Sequence, residues 1–318
     1  MYLIMKLKKP KFWDYQKPNF LSNILLPLSK IVELKSKFQT KNKKKFKEII
    51  SICVGNIYLG GTGKTTLAIE IKKILDKNNI TSCFIKKKYS NQIDEQTLLK
   101  KFGKTFINES RMDALKSAIS EKYQVAIFDD GLQDKSIAYD LVLVCFNQKN
   151  KIGNGRVIPA GPLRENINVL DYYKNIFLNG NNDENVSFKK FLLDRFPKLN
   201  FFETKYEILN LKNFNLKDQF IAFSGIGNHK TFIEMLRKNQ FTIIEDFEYP
   251  DHYNYSVVDI KRINETAAKY NAKILTTEKD YLRLDSFDKS NILFIKSSLK
   301  ILNEKKFLQT LIDLNENN

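Results

Sequence analysis

The sequence predicts an α/β protein with a parallel sheet covered by helices on both faces, followed by a smaller α/β unit. Three observations predict this fold class. An apolar, β-branched run over residues 49–54 leads into a glycine-rich turn and then into apolar residues at helical spacing. Further apolar runs alternate with helical patterns, as in parallel sheets. Asp129 and Asp130 end one of these runs, and parallel sheets bind ligands at the carboxyl ends of their strands.

The glycine-rich turn has the order of a P-loop, which is a buried strand, a turn that exposes backbone N–H groups and a helix start. Its glycines would let main-chain N–H groups surround a phosphate, Lys64 would reach the β- and γ-phosphates, and the Thr65 hydroxyl would bind Mg²⁺. The general pattern has a glycine where this chain has Tyr58, and a glycine-rich turn before an ordinary helix is the alternative. The predicted nucleotide-binding residues are Leu59, Gly60, Gly61, Thr62, Gly63, Lys64, Thr65 and Thr66.

The N-terminal segment is predicted to form an amphipathic helix at a membrane surface. Apolar side chains recur at helical spacing over residues 20–38, but the uncharged stretch is shorter than the roughly 20 apolar residues that a span requires. A lysine cluster follows, and each lysine near an anionic leaflet contributes about 1 kcal/mol. A helix packed on its own domain, with a solvated basic loop, is the alternative. The apolar residues are Leu21, Ile24, Leu25, Leu28, Ile31 and Val32, and the lysines are Lys41, Lys43, Lys44, Lys45 and Lys47.

Composition narrows the class of partner. The 318 residues include 53 Lys and Arg against 36 Asp and Glu, so the net charge is +17. Such a charge suits nucleic acid, anionic lipid or phosphorylated substrates, and a lysine-rich, AT-biased proteome is the alternative explanation. Cys53, Cys83 and Cys145 lie in apolar runs without metal-ligand spacing. They are predicted to be reduced core residues of a cytosolic protein.

The remaining elements are predicted from apolar runs and turn signals. Residues 179–185 are predicted to form a surface loop, and residues 206–211 a linking strand. The other predicted elements are strands over 81–85, 125–128, 141–146, 220–223, 242–245 and 273–276, and helices that include 115–119, 232–239, 257–270 and 305–314.

Several acidic residues and one histidine are candidates for chemistry. Asp129-Asp130-Gly131 after an apolar strand is typical of a Walker-B site that holds Mg²⁺, although Asp-Gly is also a common turn. Phosphoryl transfer to an alcohol needs a proton acceptor. Asp94 or Glu95 could be this proton acceptor, or the two could simply be acidic residues at a helix N-terminus, where the helix dipole favours negative charge. His252 lies in a polar loop, where a solvated surface role is the alternative.

Seven segments occur in an order that resembles the tetraacyldisaccharide 4′-kinases, the lipid A 4′-kinases. The resemblance extends from the N-terminal helix to about Asp280, and its most specific part is the segment over residues 153–165. The segments are VGNIYLGGTGKTT, IDEQTLL, DDGLQD, GNGRVIPAGPLRE, AFSGIGN, YPDHY and TTEKD.

The resemblance implies a reaction, a fold and roles for residues. The family transfers the γ-phosphate of ATP, with Mg²⁺, to the 4′-hydroxyl of a tetraacylated glucosamine disaccharide 1-phosphate. A P-loop domain and a smaller α/β domain, joined by a two-stranded linker, form the catalytic cleft. Asp94 matches the family's proton acceptor, His252 the histidine that orients it, and Lys64 the P-loop lysine; Arg164 is expected to meet substrate or phosphate charge. The predicted metal ligands are Thr65, Asp129, Asp130 and Glu95.

The predicted partners are an acylated disaccharide phosphate lipid and the cytoplasmic face of the inner membrane, with no nucleic acid and no obligate protein partner. The alternatives are a P-loop kinase or GTPase with a soluble substrate and, less favoured, a basic nucleic-acid-binding ATPase. The expected division is residues 1–48 for the membrane-associating helix and basic segment, 49–205 for the P-loop kinase domain, and 206–318 for the linker and smaller domain.

Some positions depart from the family pattern. Thr66 replaces a proline, Asp134 a histidine, and Ile93 the glycine before the Asp-Glu pair. Residues 86–90 (KKKYS) stand where the family has Ser-Arg-Gly-Tyr-Gly. These changes are expected to alter a loop near the phosphates.

Overall fold

The chain forms two sheets in a computed structural model. The structure describes residues 9–38, 43–89, 93–147, 150–179 and 185–316. Lys41 and most of the predicted loop at 179–185 lie outside these residues. The strands are β1 (Ile50–Gly55), β2 (Ser82–Lys87), β3 (Thr105–Asn108), β4 (Val125–Asp129), β5 (Leu141–Asn147), β6 (Asn175–Asn179), β7 (Asn200–Ile208), β8 (Gln219–Ser224), β9 (Thr242–Glu248), β10 (Lys273–Thr277), β11 (Ile292–Ile295) and β12 (Ser297–Ile301).

The helices alternate with these strands. Some starts are fixed by side-chain caps: Ser256 and Asp259, for example, form a reciprocal capping box at the start of α8. The α-helices are α1 (Phe20–Ile24), α2 (Leu26–Phe38), α3 (Lys64–Lys77), α4 (Ile93–Phe102), α5 (Arg111–Ser120), α6 (Asn185–Arg195), α7 (His229–Lys238), α8 (Val257–Lys269), α9 (Glu278–Tyr281) and α10 (Glu304–Glu316).

The larger sheet has the strand order β12-β7-β6-β5-β1-β4-β2-β3, and its neighbours are parallel except for the β12–β7 pair. Its central strands, such as ISICVG in β1, are almost continuous apolar runs because helices cover both faces. Leu67 and Ile71 of α3 pack on one face, and Phe188 and Leu192 of α6 pack on the other. The predicted parallel sheet with helices on both faces is confirmed.

The smaller sheet has the order β11-β10-β8-β9, and all its neighbouring strands are parallel. Phe232 and Leu236 of α7 pack on one face. Ile260 and Ile263 of α8 pack on the other. This sheet is the second α/β unit that the sequence predicts.

The chain returns to the larger sheet after leaving the smaller one. β12 pairs antiparallel with β7. Phe307 of α10 lies 5.3 Å, between ring centroids, from both Phe177 and Phe202 in the core of the larger sheet. The expected division assigns 206–318 to the linker and the smaller domain. In the structure, β12 is a strand of the larger sheet, and Phe307 and Leu311 of α10 pack in the core of that sheet. The reason is that a short apolar strand does not encode which sheet it joins.

The predicted N-terminal helix is two helices, α1 and α2, which meet at Leu25. Pro27 lies in the first turn of α2, where its missing N–H costs little. Among residues 20–34 of these helices, for which burial is described, Ser22 and Ser29 are the buried side chains. Within the described residues, no helix has the length and apolar character that a membrane crossing requires. The exposed apolar side chains are Phe20 (76%), Leu21 (52%), Ile24 (56%), Leu28 (53%), Ile31 (63%) and Leu34 (54%).

Candidate active site

The glycine-rich turn forms the loop between β1 and α3, at the carboxyl edge of the larger sheet. Gly60 and Gly63 have φ angles of 142° and 78°, a region that favours glycine. The Asn56 side-chain amide donates to the carbonyls of Tyr58 (2.6 Å) and Gly60 (3.2 Å), and so braces the loop from inside. Lys64 begins α3, so the positive end of that helix dipole lies at the loop.

Elements from both sheets close around this loop. The Asn179 amide, at the end of β6, donates to the Thr62 carbonyl, and the Thr204 hydroxyl donates to Asn179 Oδ1 at 2.7 Å. Gly227 of the smaller sheet unit lies so near that a Cβ on Gly61 would stand 2.9 Å from its Cα. The loop therefore lies at the boundary between the two sheets.

Asp129 ends β4 beside the loop and is fully buried. Its Oδ2 accepts hydrogen bonds from the Thr65 hydroxyl at 3.0 Å and from Lys86 Nζ at 2.7 Å. Its Oδ1 is buried and finds no hydrogen-bond partner within the described part of the chain. An unpartnered buried carboxylate oxygen suits a cation, and the Thr65 oxygen beside it is a second hard donor.

These donors fit Mg²⁺ that is shared with a nucleotide. Among the described residues there is no group of three His, Cys, Asp or Glu side chains able to hold a metal by themselves. Mg²⁺ in such sites is commonly bound by one or two protein oxygens, while water and substrate phosphates complete its shell. The geometry agrees with that arrangement.

Asp130 lies between two cations. It has a φ of 59°, an uncommon left-handed conformation. Arg164 Nη1 is 3.0 Å from its Oδ1, and Lys64 Nζ is 3.7 Å from the same atom. Burial alone would raise the pKa of Asp130, but the charges of Lys64 and Arg164 outweigh it and hold this pKa at about 2. The carboxylate is therefore ionised and attracts Lys64.

Asp94 and His252 come from different sheet units and meet in the cleft. His252 Nδ1 lies 3.2 Å from Asp94 Oδ1, and Arg283 Nη2 donates to Asp94 Oδ2 at 2.6 Å. Burial would raise the pKa of Asp94. The hydrogen bond from His252 and the charges of Arg283 and Lys279 outweigh it and hold this pKa well below its usual range. The fold thus brings together a pair that sequence separates by 158 positions.

Glu95, the next residue of α4, contacts lysines with both oxygens. Its Oε2 is 2.7 Å from Lys86 Nζ and its Oε1 is 3.0 Å from Lys279 Nζ. Burial would raise the pKa of Glu95, but the charges of Lys279 and Lys86 lower it well below its usual value. Glu95 is therefore an ionised carboxylate that joins a lysine of the larger sheet to one of the smaller unit.

The segment over residues 153–165 connects the N-terminal helices to this cleft. The hydroxyls of Ser22 and Ser29 donate to the carbonyls of Ala160 (2.6 Å) and Val157 (2.8 Å). At the other end of the segment, Arg164 contacts Asp130. The most specific sequence signature is thus a strut, a segment that joins α1 and α2 to the carboxyl edge of the larger sheet.

Comparison with known proteins identifies the family. The family model described as tetraacyldisaccharide-1-P 4′-kinase matches residues 21–316. The tetraacyldisaccharide 4′-kinase of Pelagibacter ubique (strain HTCC1062) is 56% identical over 99% of this chain and 100% of its own length. The enzyme of that name from Rickettsia typhi is 32% identical over 96% of this chain and 99% of its own length. The chain belongs to the tetraacyldisaccharide 4′-kinase family. The resemblance seen in the sequence is confirmed, and the chain is a kinase of this family.

A solved structure supports the fold. The crystal structure of LpxK from Aquifex aeolicus in complex with ATP matches with a TM-score of 0.68 at 24% identity, over 93% of this chain and 99% of that one. At this identity the match concerns the fold, and it agrees with the predicted P-loop-type architecture.

Two residues that depart from the family pattern form hydrogen bonds with residues close to them in the chain. Thr66, in place of proline, donates its hydroxyl to the Gly63 carbonyl at 2.9 Å, which closes the first turn of α3. Asp134, in place of histidine, accepts from the Ser136 hydroxyl at 2.6 Å and lies 3.5 Å from Arg111 Nη1.

Several cleft residues were missed by the sequence reasoning. Lys279 and Arg283 follow β10 and reach the site only because the two sheets pack together. Lys86 could have been found from the sequence, since it lies near the end of a buried, mostly apolar strand, at the edge of the sheet that carries Asp129. Asn56 and Asn179 act through amides that no spacing rule selects.

A separate cavity of about 370 Å³ adjoins the starts of β5 and β6. Lys43, Tyr172 and Lys174 are among the residues that line it. None of the predicted site residues does so, and the cleft between the sheets is therefore the candidate active site.

Proposed function

We propose that this chain transfers the γ-phosphate of ATP to the 4′-hydroxyl of a tetraacylated glucosamine disaccharide 1-phosphate, a late step of lipid A biosynthesis. The observation that carries the proposal is the convergence of a glycine loop, a buried carboxylate with a free oxygen, and an ionised Asp94 in one cleft. Phosphoryl transfer depends mainly on positioning and on stabilising charge, which these groups supply.

The nucleotide phosphates would lie in the loop over residues 59–66. Their charge would be met by the loop N–H groups, by the N-terminus of α3 and by Lys64, whose Nζ is held by Asp130 only at 3.7 Å. Thr65 and Asp129 would hold Mg²⁺, which neutralises charge developing on the phosphates. Asp130 lies beside them, and its neighbour Arg164 would meet substrate or phosphate charge when the cleft is occupied.

Asp94 would orient the acceptor hydroxyl and take its proton as the bond to phosphorus forms. Its low pKa keeps the carboxylate ionised at neutral pH, and a carboxylate oxygen can accept a further hydrogen bond from a hydroxyl beside those from its protein partners. His252 and Arg283 fix its orientation from the opposite side of the cleft. His252 is within reach to share the proton afterwards.

The N-terminal helices would lie on the cytoplasmic face of the inner membrane. Their buried face carries serines, and their exposed face carries large apolar side chains at more than half exposure. Such a surface suits the boundary between headgroups and acyl chains. Lys43, Lys44, Lys45 and Lys47 follow these helices in the sequence and are exposed, and they would favour an anionic leaflet. The strut over residues 153–165 then sets the distance from the lipid surface to the site.

The test is phosphorylation of the lipid itself. The purified chain is incubated with γ-labelled ATP, Mg²⁺ and tetraacyl disaccharide 1-phosphate in mixed micelles, beside Lys64→Ala. We expect label in the lipid, at the 4′ position, and its loss in the variant because the lysine that reaches the phosphates is gone. Labelling of soluble alcohols without labelling of the lipid would refute the proposal and favour a soluble substrate.

A further inference from the structure

Lys86 is a buried lysine to which the proposed reaction assigns no role. Only 1% of its side chain is exposed. It lies near the end of β2, one strand away from the P-loop strand, with β4 between them. Its Nζ is 2.7 Å from Asp129 Oδ2 and 2.7 Å from Glu95 Oε2, so one ammonium group joins the two carboxylates.

The two carboxylates it joins are not equivalent. Glu95 has both oxygens facing lysines, Lys86 on one side and Lys279 on the other. Asp129 shares only Oδ2, and its buried Oδ1 is left without a donor among the described residues. A metal ion bound to Glu95 would have to displace an ammonium group, whereas one bound to Asp129 Oδ1 would displace nothing.

We propose that Lys86 is the permanent positive charge between Asp129 and Glu95. Glu95 then binds lysine rather than Mg²⁺, and the protein ligands of the Mg²⁺ ion are Asp129 and Thr65. Lys86 is thereby a positioning residue. It ties the first turn of α4 to the sheet through Glu95, and this fixes the adjacent Asp94 opposite His252. This proposal differs from the sequence-based prediction of Glu95 as a metal ligand, and it rests on the proposed function.

Electrostatics explain why such a cation is needed. Without a charge between them, the buried carboxylates of Asp129 and Glu95 would repel each other, and leaving one partner of a buried pair uncompensated is strongly unfavourable. A lysine at the end of a rigid strand supplies that charge before nucleotide arrives. The site is then preorganised, and only the nucleotide-bound ion remains to be added.

Glu95→Gln tests the assignment directly. Binding of Mn²⁺ in the presence of AMP-PNP is measured by electron paramagnetic resonance, with Asp129→Asn for comparison. We expect Asp129→Asn to weaken Mn²⁺ binding, because it removes the proposed ligand. Glu95→Gln should weaken Mn²⁺ binding much less than Asp129→Asn does, because its side chain contacts lysines. A loss in Glu95→Gln as large as that in Asp129→Asn would make Glu95 a metal ligand and overturn the proposal.

Lys86→Met supplies a second readout. It removes the ammonium group shared by Glu95 Oε2 and Asp129 Oδ2. We therefore expect Mn²⁺ to bind in the absence of nucleotide, which the wild-type protein should not show, together with a fall in kcat. Lys72→Met is the matched control, because Lys72 is also a buried lysine that pairs with a carboxylate, Asp76, away from the cleft. Wild-type kcat and no nucleotide-free Mn²⁺ binding in Lys86→Met would contradict the proposal. If Lys86→Met fails to fold, Glu95→Gln still decides.

Different results would refute the proposed substrate and the proposed role of Lys86. If the wild-type protein binds Mn²⁺ with AMP-PNP but does not phosphorylate the lipid, the proposed substrate is wrong while the metal assignment is still tested by Glu95→Gln. If it binds no Mn²⁺ with AMP-PNP, the ion site at Asp129 and Thr65 is refuted, and the inference with it.

Discussion

Gly227→Ala should slow the reaction by separating the two halves of the cleft. The new Cβ would stand 2.2 Å from Gly61 N and 2.6 Å from Gly61 Cα, whereas ordinary contact begins at 3.4 Å. The clash is with backbone on the phosphate loop, so a side-chain rotation cannot relieve it. The two segments must move apart by about 1.2 Å. The same boundary is spanned by the contact of 3.2 Å between His252 and Asp94, which would lengthen with it.

A displacement of about 1 Å at a reacting group commonly costs about 100-fold in rate. We therefore expect kcat for the lipid substrate to fall about 100-fold in Gly227→Ala. The melting temperature should change little, because the clash lies between the sheets and outside either core. Gly103→Ala is the control: its Cβ would meet only the flexible end of Lys72, at 2.3 Å, away from the cleft. Both variants are assayed with labelled ATP and by thermal unfolding.

Wild-type kcat in Gly227→Ala would refute this prediction, because the cleft would then function without the close approach of Gly227 to Gly61. A fall of equal size in Gly103→Ala would refute it as well. In that case the loss would reflect general damage to the fold.

Three further perturbations test the other parts of the site. Asp94→Asn should lower kcat by about 10²–10⁴-fold while ATP affinity, measured by calorimetry, is retained; unchanged kcat would remove Asp94 as the proton acceptor. Arg283→Met removes a charge that lowers the pKa of Asp94. The carboxylate would then protonate as pH falls at values where the wild type is still ionised, so the acid limb of kcat/KM should move up by about 1–3 pH units, and an unmoved limb would contradict this. Leu21→Gln with Ile31→Gln removes about 2 kcal/mol of apolar contact, which predicts about thirtyfold weaker binding to anionic vesicles. Val257→Gln, at another exposed apolar position, should bind as wild type does, and equal losses in both would argue against the helices as the docking surface.

The sequence determined the elements whose local pattern is strong. β1, the glycine loop and the start of α3 follow from an apolar run, glycines and a lysine, because each of these is a property of neighbouring residues. The acidic end of β4 followed for the same reason. The family could be recognised from the sequence, because its motifs and their order along the chain can be identified without the structure.

Other features could not be predicted because they depend on packing. β12 and α10 join the larger sheet although they follow the smaller one, and no local pattern encodes a pairing partner. The N-terminal helices have the expected apolar residues, but which face is buried was decided by Ser22 and Ser29 bonding to a distant segment. Periodicity shows which side chains share one face of a helix, whereas only tertiary contacts show what that face packs against.

The sequence by itself determined a glycine-rich loop between a strand and a helix, an acidic strand end and the ordered motifs of the tetraacyldisaccharide 4′-kinases. Only the tertiary structure decided how the charged groups are partnered. Asp94 meets His252 and Arg283, and Glu95 meets Lys86 and Lys279, across a boundary between two sheets. The physical reason is that electrostatic interactions depend on distance in space, and folding reduced the 158 positions between Asp94 and His252 to 3.2 Å.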